Sequence, residues 1–142
     1  PVLSPEAAFI ITDMLTGVAR DGSARQAKVL GRATAGKTGT TDACRDASFY
    51  GYSPELAAGV WVGFDSGRPL GAELTGAKAA LPLWIDFMEQ ALEERPILEF
   101  TPPAGVVTAY MNRLTGKGCR PGEPDCVKAA FRPDNRPAPV VR

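Results

Sequence analysis

The sequence predicts an α+β fold, and three observations carry that prediction. Apolar residues recur at helical spacing near the start, a threonine- and aromatic-rich middle reads as consecutive strands, and helical spacing returns from Lys78. Short turns between the strands make them an antiparallel meander. The expected order is helix, three-strand antiparallel meander, helix and irregular tail.

The first helix is read from SPEAAFIITDMLTGV. Ser4 is placed to cap, Pro5 suits the first helical position, and Ala7, Ile11, Met14, Leu15 and Val18 form one face for burial. The following ARDGSARQAKVLGR is polar, with Gly22 and Gly31 as turn points, and reads as a loop holding at most a helical turn. RATAGKTGTT, ASFYGYS (47–53) and LAAGVWVGFD (56–65) are the strands, with Ser53, Pro54 and Glu55 as a tight connection. The second helix is KAALPLWIDFMEQALEER, residues 78–95. It has Ala80, Trp84, Phe87, Met88, Ala91 and Leu92 on one face, Pro82 limiting where its first turn begins, and Arg95-Pro96 as the stop. Residues 1–95 hold the periodic elements. Residues 96–142 are proline-rich and irregular, with the last ten, PDNRPAPVVR, expected to be mobile.

Composition removes several functions. Sixteen basic residues against sixteen acidic ones leave no basic footprint for nucleic acid. The apolar run LAAGVWVGF is less than half the roughly 20 residues of a membrane helix. The chain starts at Pro1 without an initiator Met or a charged-then-apolar signal, so any targeting segment is expected outside it. The absence of histidine excludes Ser-His-Asp and Cys-His catalysis within the chain, and His-based zinc sites. With three cysteines there are also too few thiolates for a four-ligand site, so neither metal nor cofactor is expected. Cys119 and Cys126 bracket the turn-rich RPGEPD. Either they form a disulfide, fitting an extracytoplasmic compartment with Cys44 free, or they are two reduced surface thiols.

The stretch GRATAGKTGTT, residues 31–41, admits two chemistries for Lys37. From Gly31 it matches the phosphate loop G-x-x-x-x-G-K-[ST]. That loop needs a buried strand before it and a helix after it, yet DGSARQAKVL precedes it and the β-rich GTTDACRDASFYGY follows it. From Lys37 it reads K-T-G-T on a strand. Thr38 and Thr40 then share a face, two hydroxyls about 7 Å apart that can grip a carboxylate. Gly39 lets a substrate backbone approach the strand edge, and a backbone N–H near Thr40 can form half of an oxyanion hole. Lys37 supplies a charge for the carboxylate or for proton transfer at a nucleophile. Strict alternation, however, points it away from the two threonines, a conflict that either strand twist or a sideways reach of its four-carbon stem would have to resolve. An ordinary threonine-rich strand with an exposed lysine is the plain alternative.

The ordered strings SPEAAFIITDMLTGV, DGSARQA, GRATAGKTGTT, RDASFYGYSPELAAGVWVGFD and ALPLWIDFM resemble the C-terminal part of the transpeptidase domain of class A penicillin-binding proteins, the bifunctional peptidoglycan synthases. The resemblance spans about Pro1 to Glu94. It implies the penicillin-binding-protein/β-lactamase-like transpeptidase fold, an antiparallel sheet with helices on both sides, of which this is the C-terminal portion. It also implies a DD-transpeptidase: a serine attacks the D-Ala-D-Ala of a stem peptide, D-Ala leaves, an amine of a neighbouring stem resolves the acyl-enzyme, and β-lactams acylate the same serine. On this pattern Lys37 and Thr40 are the catalytic candidates. Thr38, Gly39, Thr40, Thr41 and Phe49 are the substrate-binding ones, with Phe49 or Tyr50 lining a cleft wall and the other of the pair in the core. Gly22-Ser23 falls at the cleft edge, and Trp61 and Trp84 read as core.

The departures from the pattern matter equally. None of the five serines has a lysine three residues on, and no S-x-N occurs. The expected partners are therefore an N-terminal remainder of the same enzyme carrying the S-x-x-K serine and a membrane anchor, then peptidoglycan stem peptides and β-lactams, with no nucleic acid. The expected location is the extracytoplasmic, periplasmic face of the bacterial inner membrane. A phosphate-loop nucleotide enzyme and a non-catalytic carboxylate-binding or scaffold module are the alternatives.

Overall fold

The computed structural model describes residues 2–138. They form two compact units, one of Leu15–Phe100 and one of the residues up to Met14 with those from Thr101 onward. Helix α1 covers Pro5–Asp21. Ser4 caps it, its Oγ accepting the Ala7 N–H at 3.3 Å. It runs a turn beyond Val18 because Ala19 and Arg20 favour helix, and it stops before Gly22, whose N–H still reaches the Val18 carbonyl at 3.1 Å. The stripe expected to be buried is corrected in part. Ile11 and Met14 are exposed, no described segment covering them, while Thr12 and Ala19 are buried.

In the unit of Leu15–Phe100, a 3₁₀ turn at Arg25–Leu30 ends on Gly31, whose φ of 63° is the left-handed conformation that glycine adopts without cost. Strands β1 (Ala35–Thr40), β2 (Asp46–Tyr52) and β3 (Ala57–Gly63) follow as an antiparallel sheet in the order β1-β2-β3. Ser53 closes the β2–β3 turn. Its buried Oγ accepts the N–H groups of Glu55 and Leu56, both at 3.2 Å.

A π-type turn at Gly76–Ala80 leads into helix α2 (Leu81–Ala91), with Pro82 in its first turn where a missing N–H costs nothing. Leu81, Trp84, Met88 and Leu92 are fully buried with Phe49. Phe49 meets Trp84 edge to face at 4.9 Å, and the Trp84 indole N–H donates to the Ala58 carbonyl at 3.1 Å. Phe87 was expected on this face and is half exposed; Ile85 takes its place, because the buried stripe is set by Leu81, Trp84 and Met88 rather than by Phe87. The helix ends at Ala91, short of Arg95. Just past its end the chain is held by Arg32, whose Nη2 donates to Leu92 O at 3.0 Å and Arg95 O at 3.3 Å.

The other unit holds strands β4 (Val107–Asn112) and β5 (Cys126–Phe131), paired antiparallel. The stretch expected to be irregular thus contains a ladder, because its prolines flank both strands and interrupt neither. The Ala130 N–H donates to Asp13 Oδ2 at 2.8 Å, tying β5 to the first half of α1. A disulfide joins Cys119 and Cys126, whose Cα atoms are 5.9 Å apart, and Cys44 is free. Of the last ten residues, Pro133–Asn135 form a 3₁₀ turn, and the expected mobility of 139–142 lies outside the described residues. Among the described residues no helix is long and apolar enough to cross a membrane.

Candidate functional site

The geometry of β1 follows from one hydrogen bond and the register. Lys37 pairs with Tyr50, Gly39 with Ser48, and Thr40 with Ala47. Just past the strand, the Thr41 N–H donates to the Asp46 carbonyl at 3.0 Å. Antiparallel pairing alternates, so the N–H and C=O groups of Lys37 and Gly39 point towards β2, and those of Gly36, Thr38 and Thr40 point outward. Among the described residues no strand pairs with that outer side of β1. It is a free edge whose outward donors and acceptors have no strand partner among the described residues.

Lys37 resolves its own conflict by reaching sideways. Its Cα lies on the face opposite Thr38 and Thr40, but its Nζ donates to Thr38 O at 3.0 Å, and that carbonyl points off the free edge. The ammonium therefore sits at the edge beside the outward N–H groups. The hydroxyls differ from one another. Thr38 Oγ1 is 2.9 Å from Ser23 Oγ, which brings the turn after α1 to the same edge. Thr40 Oγ1 accepts the Gly76 N–H at 2.9 Å. Thr41 Oγ1 accepts the Asp46 N–H at 2.8 Å and lies 3.2 Å from Asp46 Oδ2, so it closes the β1–β2 turn rather than facing a ligand.

The aromatic positions are sorted by parity. Phe49 is 1% exposed and belongs to the core, which corrects its assignment to a binding wall. Tyr50, one residue on, is 63% exposed on the face of Lys37. Trp61, expected in the core, is half exposed on that same face, paired with Ser48. Gly39, Ser48, Tyr50 and Trp61 line a shallow hollow of about 450 Å³ with Thr40, Thr41 and Asp46. A Cβ on Gly39 would meet the Ser48 hydroxyl, which would have to turn aside.

The phosphate-loop alternative has no footing in this geometry. Lys37 and Thr38 lie inside a strand, and a three-residue 3₁₀ turn at Asp42–Cys44 and then β2 follow where a helix would have to open. One residue of the site went unread in the sequence. Gly76 donates to Thr40 from 36 positions away, and the only signal was a Thr-Gly pair ahead of a helical pattern.

Comparison with known proteins is consistent along the chain. A family model described as penicillin binding protein transpeptidase domain matches residues 1–67. Penicillin-binding protein 1A of Pseudomonas aeruginosa is 36% identical over 140 residues, covering 98% of this chain and 17% of that protein. Penicillin-binding protein 1A of Aquifex aeolicus is 48% identical over 96 residues, 67% of this chain and 13% of that protein. The crystal structure of penicillin-binding protein 1A from Haemophilus influenzae superposes with a TM-score of 0.85 at 29% identity, over 99% of this chain and 22% of that one. The chain thus spans less than a quarter of the proteins it matches.

Proposed function

The chain belongs to the penicillin-binding proteins as a part of their transpeptidase domain, and from that premise we propose that the free edge of β1 is one wall of a serine acyl-transfer site that cross-links peptidoglycan. The observation that carries this reading is the convergence at one open edge of the Lys37 ammonium, the outward N–H of Thr40 and the Thr40 hydroxyl.

Each group has a task. An extended stem peptide ending in D-Ala-D-Ala adds to the edge as a further strand, its backbone meeting the outward groups of Gly36, Thr38 and Thr40. Its terminal carboxylate is held by the Thr40 hydroxyl and the Lys37 charge, with the Ser23–Thr38 hydroxyl pair beside them. The Thr40 N–H stabilises the oxyanion as the scissile carbonyl becomes tetrahedral. β-Lactams present the same carboxylate and an acylable carbonyl, and they occupy the same edge.

The nucleophile comes from elsewhere. No serine here is followed by lysine at the third position, so the attacking serine belongs to an N-terminal remainder of a bifunctional synthase, which also carries the membrane anchor. The chain alone turns over nothing, and the working enzyme sits on the periplasmic face of the inner membrane.

The test is to label the longer polypeptide containing this segment with a fluorescent penicillin and to map the modified peptide by mass spectrometry. The proposal expects one acylated serine outside residues 1–142. An adduct on Ser4, Ser23, Ser48, Ser53 or Ser66, or magnesium-dependent nucleotide binding without any adduct, would overturn it.

A further inference from the structure

Thr40 is the hydroxyl whose hydrogen bonding is polarised in one direction. A threonine hydroxyl has lone pairs to accept with and a single proton to donate. The acceptor side is taken by the Gly76 N–H at 2.9 Å, and among the described residues no group accepts the Thr40 proton. That proton is left to point away from Gly76. The Thr38 hydroxyl, by contrast, shares its proton with Ser23 at 2.9 Å in either sense.

Gly76 reaches this position only because it has no side chain. A Cβ there would stand 2.5 Å from both the Gly39 and the Ser48 carbonyl oxygens and 3.1 Å from Gly39 N. The backbone of Gly76 therefore lies flat on the β1–β2 pair at Gly39 and Ser48, on the side of the sheet opposite Lys37. Its N–H is one of the donors at the start of a helical run that have no partner inside the run. The run is anchored through Leu81, Trp84 and Met88, all fully buried. The donor that meets Thr40 is thus fixed by the core rather than by a mobile loop.

We propose that Gly76 is a positioning residue, its backbone N–H holding the Thr40 hydroxyl as a donor aimed at the substrate carboxylate. The proposal rests on the reading of Thr40 as a carboxylate-binding group. Its consequence is selective: it concerns recognition of the carboxylate and leaves attack on the carbonyl alone. A substrate or inhibitor without that charge gains nothing from the pre-set hydroxyl.

The experiment uses the full-length enzyme carrying this segment and compares second-order acylation rates for benzylpenicillin and for its methyl ester, which lacks the free carboxylate. Gly76→Ala should slow benzylpenicillin about fivefold, the value of one ordinary hydrogen bond, and leave the ester within twofold. Thr40→Val should slow benzylpenicillin at least as much, Thr40→Ser should restore the rate, and the double variant Gly76→Ala/Thr40→Val should be no slower than Thr40→Val alone. Where Gly76→Ala does not fold, an α-hydroxy acid incorporated at position 76 removes the N–H without adding a side chain. Equal slowing of both compounds by that backbone ester, or slowing of neither while Thr40→Val still discriminates, overturns the role of Gly76. If Thr40→Val itself fails to discriminate, the reading of Thr40 falls, and this proposal with it.

Discussion

Replacing Arg32 by alanine should unfold the Leu15–Phe100 unit at markedly lower denaturant, and the size of the effect follows from what Arg32 touches. Its guanidinium is 9% exposed and faces the 8% exposed Glu55, with Nη1 3.5 Å from Glu55 Oε1. The same group donates to the carbonyls of Leu92 and Arg95 at 3.0 and 3.3 Å and lies 3.5 Å from that of Pro96. The ion pair is long and worth little by itself. Its removal is costly because it strands a buried carboxylate, whose Oε2 already has no partner, together with the carbonyls at the end of α2. Breaking a buried pair in this way costs about 3–5 kcal/mol. That is a large share of a domain stability of about 5–15 kcal/mol. Equilibrium urea unfolding should show the midpoint falling with an unchanged slope. Adding Glu55→Gln to Arg32→Ala should recover about 1–2 kcal/mol by removing the stranded charge. A loss below about 1 kcal/mol, or no recovery in the double variant, would make Arg32 an ordinary surface cation.

Three further outcomes are expected. Trp84→Ala should cost about 3–5 kcal/mol in the same urea assay, since it removes the fully buried partner of Phe49 and the indole bond to Ala58. Reducing the Cys119–Cys126 disulfide, which closes a short loop at sequence separation 7, should destabilise the β4–β5 hairpin by about 2.5 kcal/mol, read as loss of amide protection in β4 and β5. The third concerns Glu6, whose pKa is held below the usual range by a backbone hydrogen bond, then by Ser4, and by attraction to Arg132. A lowered carboxyl pKa contributes stability that is present above the usual value of about 4.3 and is lost as pH falls through the lower folded value. Helical signal from α1 should weaken in that acidic window, and Glu6→Gln should abolish this pH dependence.

Much of this was readable because period and punctuation agree. The strand segments are rich in threonine, aromatic and apolar residues, Pro54 marks the β2–β3 turn, and the observed limits fall within a few residues of the expected ones. What escaped was set by parity and by distance in the chain. A one-residue phase decides whether Phe49 or Tyr50 meets α2, and the side chains alone do not reveal it; the register with Lys37 and Gly59 does. Trp61 reads as core in the sequence, yet it shares the face of Lys37 and is half exposed there. The hairpin in the tail was hidden by prolines that flank its strands. For Lys37 the sequence leaves open the choice between strand twist and a sideways reach, and the bond to Thr38 O shows the reach; the donor from Gly76 is a long-range contact without a local signature.

The free edge of β1, with Lys37 and Thr40, is proposed as the carboxylate- and oxyanion-binding wall of a penicillin-sensitive site. The most direct measurement is the second-order rate of acylation by benzylpenicillin in the full-length enzyme with Lys37→Ala, taken alongside its urea midpoint. A fall of about tenfold to a hundredfold is expected, one charge-assisted interaction, with the midpoint within about 0.5 kcal/mol of wild type because Lys37 is exposed. An unchanged acylation rate in a folded variant would contradict it.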